Sequence, residues 1–72
     1  MACIDSDGTL TAAGRQLLEG LAQESLSPEG IAQAMGEPIF KVRGRIREMV
    51  QADLIEEKDG AYAATEKGLG MI

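Results

Sequence analysis

The sequence predicts a mainly α-helical domain with a small β-hairpin, an α+β arrangement of three helices and two short strands. Three features carry that prediction. Ile39, Val42, Ile46, Met49 and Val50 recur at the three-to-four spacing that places them on one face of a helix. Upstream, Leu26-Ser27-Pro28-Glu29 opens another helix, which Gly36 closes only a short turn before the first. Downstream, Asp59-Gly60 separates two short extended runs, as in a tight hairpin.

In chain order, the first helix begins near Thr11, whose hydroxyl can cap the free amides of the first turn, and runs to about Gln23. Leu17, Leu18 and Leu21 share its buried face. Ser27 caps the second helix. Pro28 loses no hydrogen bond at the first helical position, and Glu29 suits the positive end of the helix dipole. Leu26 and Ile31 have the spacing of a hydrophobic staple, and Ile31, Ala32 and Met35 face inward. The third helix covers 38–52. Asp53 ends it in a left-handed conformation, which Asp tolerates better than most residues.

The hairpin covers 54–64, with Leu54 to Lys58 and Ala61 to Ala64 as its strands, and Thr65 caps a last turn through Gly68. Leu69, Met71 and Ile72 pack on the first helix or meet a partner chain. Residues 1–9 are read as a mobile N-terminal segment or a short strand. Residues 1–72 are expected to form a single domain, because 72 residues are close to the smallest number that one core can stabilise.

The composition supports a folded chain: 44% of residues are hydrophobic and 26% charged. With only Phe40 and Tyr62 as aromatics, the core must be aliphatic, and Phe40 is expected at its periphery, folded back against the second helix. Cys3 is the lone cysteine and histidine is absent, so no disulfide or Cys/His zinc set is available. With no leader-like or membrane-spanning run, a cytoplasmic location without membrane contact is expected. No cofactor is implied. Without a histidine base, and with Cys3 placed in the terminal segment, no catalytic residue is assigned and the protein is read as a non-enzyme.

Charge is distributed unevenly. The formal net charge is −5, yet Lys41, Arg43, Arg45 and Arg47 fall within seven positions of the third helix. On helical geometry the face opposite the apolar stripe presents Phe40, Lys41, Gly44, Arg45, Arg47 and Glu48, with Arg43 flanking. A net acidic molecule repels a polyanion, so contact with nucleic acid must rely on this local patch.

These stretches resemble prokaryotic winged helix-turn-helix regulators of the broad MarR-like and ArsR-like kind. The similarity lies in Leu26 to Gly36 for the second helix, Val42 to Ile55 for the recognition helix entering the wing, and Tyr62 to Gly68 after it. It covers about residues 10 to 68. The resemblance implies a three-helix winged helix-turn-helix and a small DNA-binding transcriptional regulator, or a subunit of one, whose third helix enters the major groove of double-stranded DNA.

Carried over residue by residue, the DNA-contacting set is Lys41, Arg43, Gly44, Arg45, Arg47 and the wing's Lys58. Lys41 and Arg45 lie nearest base edges, Arg43 and Arg47 lie on phosphates or guanine edges, and Gly44 either allows close approach or is merely tolerated on an exposed face. The chain departs from the pattern in having Asp53 where glycine is usual, Ala64 after the wing, and a wing in which Glu56, Glu57 and Asp59 surround Lys58. The acidic wing keeps a second class open: a module for protein contacts without DNA. A homodimer or a larger assembly would use the short termini.

Cys3 to Leu10 also resembles the first motif of haloacid-dehalogenase-type phosphatases, with Asp5 and Asp7 in the places of nucleophile and acid/base. Such chemistry needs a surrounding parallel sheet and further carboxylates, so the segment is read as a turn. A calcium loop is set aside too, since Leu10 and Arg15 stand where ligands would be wanted.

Overall fold

The computed structural model describes residues 3–72; positions 1 and 2 of the N-terminal segment lie outside the described residues. Its order is α1 (Ala12–Gln23), α2 (Pro28–Met35), α3 (Ile39–Gln51), β1 (Ile55–Lys58), β2 (Ala61–Ala64) and α4 (Glu66–Leu69). This is the α+β winged-helix architecture, with α2 and α3 as the helix-turn-helix and β1–β2 as the wing.

The caps follow the local chemistry. The Thr11, Ser27 and Thr65 side chains each accept a bond from the amide three residues on, those of Gly14, Gly30 and Gly68. Gly36 ends α2 with φ 66, and Asp53 and Asp59 also take positive φ, 64 and 55. Pro38 is extended and caps α3 without a side-chain bond, so the helix begins at Ile39.

β1 and β2 pair antiparallel, from Ile55 opposite Ala64 to Lys58 opposite Ala61. Asp59-Gly60 forms the turn with positive φ at both residues, as a primed turn requires. A third short extended piece joins them: Leu26 and Tyr62 exchange both backbone bonds, at 3.0 and 2.8 Å. The outer half of β2 is thereby tied to the entry of α2. Thr65 closes the other side, donating its hydroxyl to the Asp53 carbonyl at 2.6 Å.

Leu17, Leu18 and Leu21 of α1, Ile31 of α2, Val42, Ile46 and Met49 of α3, and Leu54, Ile55 and Cys3 form the buried core. Tyr62 and Met71 are half-buried against it, while Leu69 and Ile72 remain exposed.

Several sequence expectations are corrected. Val50, on the buried stripe by its spacing, is 42% exposed, because it borders the open groove between α3 and the wing's Tyr62. Phe40, expected at the core margin against the second helix, is 71% exposed, because it lies on the side of α3 opposite the buried Val42 and Met49. Cys3, expected in a loose terminus, is fully buried.

The segment around Cys3 closes as a loop through an isolated antiparallel bridge between Ile4 and Leu10. Its tip is the predicted turn: Asp7 accepts from both the hydroxyl and the amide of Thr9, which hold the exposed carboxyl below its usual range. The loop is docked by the Thr11 amide on the Cys3 carbonyl at 2.9 Å. Gly14 makes this approach possible, since a Cβ there would collide with that carbonyl oxygen.

Candidate nucleic-acid interface

The outward side of α3 is built by subtraction: the core takes Val42, Ile46 and Met49, and what remains faces solvent. Phe40, Gly44, Arg47 and Gln51 follow one another at helical spacing along this exposed surface. Arg43 and Val50 border it on the wing side and Lys41 on the other. Arg43 and Arg47 line a groove with Ile46, Val50 and Tyr62, which joins the helix to the wing. The arc from Arg43 through Arg47, Phe40 and Gln51 to Gly44 carries no carboxylate.

Arg45 does not belong to this surface. Sequence reasoning placed it nearest the base edges, but its side chain is 4% exposed. Its Nε and Nη2 donate to the two carboxylate oxygens of Glu37 at 2.6 and 2.8 Å, and Nη1 lies 3.6 Å from the Cys3 sulfur. This two-pronged pairing holds the turn between α2 and α3 against the body of α3.

The pairing also sets the titration of the cluster. Hydrogen bonding to Arg45 holds the Glu37 carboxyl below its usual range and raises the guanidinium further above its own. Burial pushes the Cys3 thiol up, and Arg45 offsets that only in part. Glu48 was also expected on the outward face. Its carboxylate instead accepts the Cys3 amide at 2.8 Å, which draws the half-buried side chain toward the N-terminal loop. The signal for Arg45 was present in the sequence as Glu37 just across the turn, but Cys3 comes from 42 residues away.

Of the six residues assigned from sequence, Lys41, Arg43, Gly44 and Arg47 are therefore exposed on or beside one face of α3. Lys58 is exposed at the far end of β1, among Glu56, Glu57 and Asp59 and apart from the α3 cations. No group of metal-ligating side chains occurs among the described residues. No helix among them is long and apolar enough to cross a membrane.

No protein-family profile and no curated protein matches the chain. Solved structures do. ZitR of Lactococcus lactis superposes with a TM-score of 0.81 at 23% identity, over 96% of this chain and 49% of its own. CalO1, a methyltransferase in calicheamicin biosynthesis solved with SAH bound, superposes with a TM-score of 0.70 at 28% identity, over 83% of this chain and 18% of its own. The chain thus spans less than half the length of either structure. The likeness establishes the winged-helix fold.

Proposed function

We propose that this chain is a DNA-binding winged-helix module of a transcriptional regulator, which inserts α3 into the major groove of duplex DNA. The carrying observation is the α3 surface, where Lys41, Arg43 and Arg47 face solvent and the arc from Arg43 through Arg47 to Gly44 holds no carboxylate, while Glu37 is paired with Arg45 and Glu48 with the Cys3 amide. A helix of 13 residues standing out from the core has the dimensions to enter a groove. Arg43 and Arg47 contact phosphates or guanine edges, Lys41 lies near the helix start, and Gly44 gives the backbone its close approach. Lys58 supplies the wing's one cation, and its three acidic neighbours make that contact weak. As a regulator module the protein would act in the cytoplasm of a prokaryotic cell and need no cofactor.

The test is titration of a labelled random-sequence duplex at low and moderate salt, comparing the wild type with Lys41, Arg43 and Arg47 all changed to Ala. Arg45 is left intact because its loss would disturb the fold. Three neutralised phosphates give a slope of about −2.7 in log affinity against log salt, which the triple variant should lose. Equal binding by both proteins would remove α3 as the contact surface.

A second reading rests on the acidic wing and the formal charge of −5: a module that docks protein partners as a dimer or in a larger assembly. The match to a segment of a methyltransferase is compatible with it. Absence of binding to any duplex at low salt would favour this reading.

A further inference from the structure

Phe40 lies outside the hydrophobic core of this domain. The chain has two aromatic residues; Tyr62 packs against the core and Phe40 stands 71% exposed in the first turn of α3. An exposed aromatic ring of this size forgoes more burial energy than any other side chain on the surface, and such groups mark contacts.

Its neighbours define the contact. Phe40 and Lys41 wall a hollow whose floor is Gly44, with the edge of Arg45 behind it. Nothing lies within 4 Å of the place where a Cβ on Gly44 would stand, so the floor is open to whatever enters. One wall is apolar, the other is a cation, and Arg47 continues the same helical face. A recognition helix reads base edges chiefly with its N-terminal residues, and Phe40 is the second residue of α3. In the major groove the base feature complementary to an apolar ring is the C5 methyl group of thymine, which no other base carries.

We propose that Phe40 is a specificity-determining residue that packs on a thymine methyl group over Gly44, giving the module a preference for a thymine within its site. The inference rests on the DNA-binding reading above. Phosphate contacts of the α3 cations supply affinity that is indifferent to sequence, and Phe40 supplies a discrimination that is indifferent to salt.

The experiment enriches duplexes from a random-sequence pool with the wild type and, in parallel, with Phe40→Ala. The duplex enriched by the wild type is then remade with each thymidine replaced in turn by deoxyuridine, which deletes the methyl and leaves base pairing unchanged. At one or two positions, replacement should weaken wild-type binding about fourfold, the worth of one buried methyl. Phe40→Ala should bind the thymidine and deoxyuridine forms equally, with its salt dependence intact. Because the ring is exposed, the variant should keep the wild-type melting temperature, and folding does not confound the result.

Wild-type binding that ignores every replacement overturns the inference while leaving the DNA reading in place, as does a Phe40→Ala protein that still discriminates. Failure of the wild type to bind or enrich any duplex at low salt removes the DNA reading, and this inference falls with it.

Discussion

Removing the Glu37 side chain leaves the Arg45 guanidinium enclosed with only the Cys3 sulfur, at 3.6 Å, as its side-chain partner. Both short bonds, 2.6 and 2.8 Å, go to the carboxylate that Glu37→Ala deletes. Breaking a buried ion pair by removing one partner costs about 3 to 5 kcal/mol, because the remaining charge stays desolvated. Glu37 is 21% exposed, so water enters part of the vacated space and about 2 to 3 kcal/mol is the better figure here.

A domain of this length has a total stability of roughly 4 to 11 kcal/mol, so the loss is a large fraction of it. In a thermal melt followed by circular dichroism it should lower Tm by roughly 10 to 20 °C. Arg45→Met in the Glu37→Ala background removes the stranded charge and keeps the aliphatic stem, and should restore a large part of the loss. The coupling energy of the pair should be about 1.5 to 3 kcal/mol. A drop of less than about 3 °C for Glu37→Ala, or additive effects in the double variant, would show that the guanidinium finds water readily and that the pair does not clamp the turn.

Three further outcomes are expected. Since Arg45 holds the Glu37 carboxyl below its ordinary value of 4.5, the pair's contribution is complete above that pH and is lost as pH falls through the lower folded-state value; melts in an acid series should show Glu37→Gln losing less stability than wild type there, and parallel curves would contradict the assignment. Gly44→Ala, in open space within α3, should stabilise the domain by about 1 kcal/mol. Under the DNA reading it should weaken duplex binding; unchanged affinity would mean that no base approaches the helix there. Asp53→Gly, at φ 64, relieves a left-handed strain partly offset by the freedom glycine gains in the unfolded chain, for a net gain of about 0.5 kcal/mol and a Tm raised by roughly 2 to 4 °C; a lowered Tm would refute that balance.

The α3 surface was only partly legible in the sequence. Lys41, Gly44 and Arg47 are exposed as helical periodicity predicts, and Arg43, which flanks the Val42, Ile46 and Met49 stripe, reaches solvent as well. Arg45 also lies on a flank of that stripe, where periodicity is indifferent and a charged residue defaults to solvent, and Glu48 lies farther round on the outward side. A partner decided each case, Glu37 for one and the backbone amide of Cys3 for the other. Phe40 was misplaced for the opposite reason: hydrophobicity argued for burial, but its position faces away from the Val42 and Met49 side of α3 that packs on the core.

The elements and their ends were thus determined locally. Ser27-Pro28, Gly36, Asp53, Asp59-Gly60 and Thr65 act through bonds within a few residues of themselves, and such contacts are specified by the sequence around them. The membership of the candidate interface was decided by tertiary structure, because the environment of a charged side chain depends on what is packed against it. The loop that buries Cys3 crosses α3 from the other end of the chain, and only the folded state brings the Cys3 amide to Glu48 and its sulfur to Arg45.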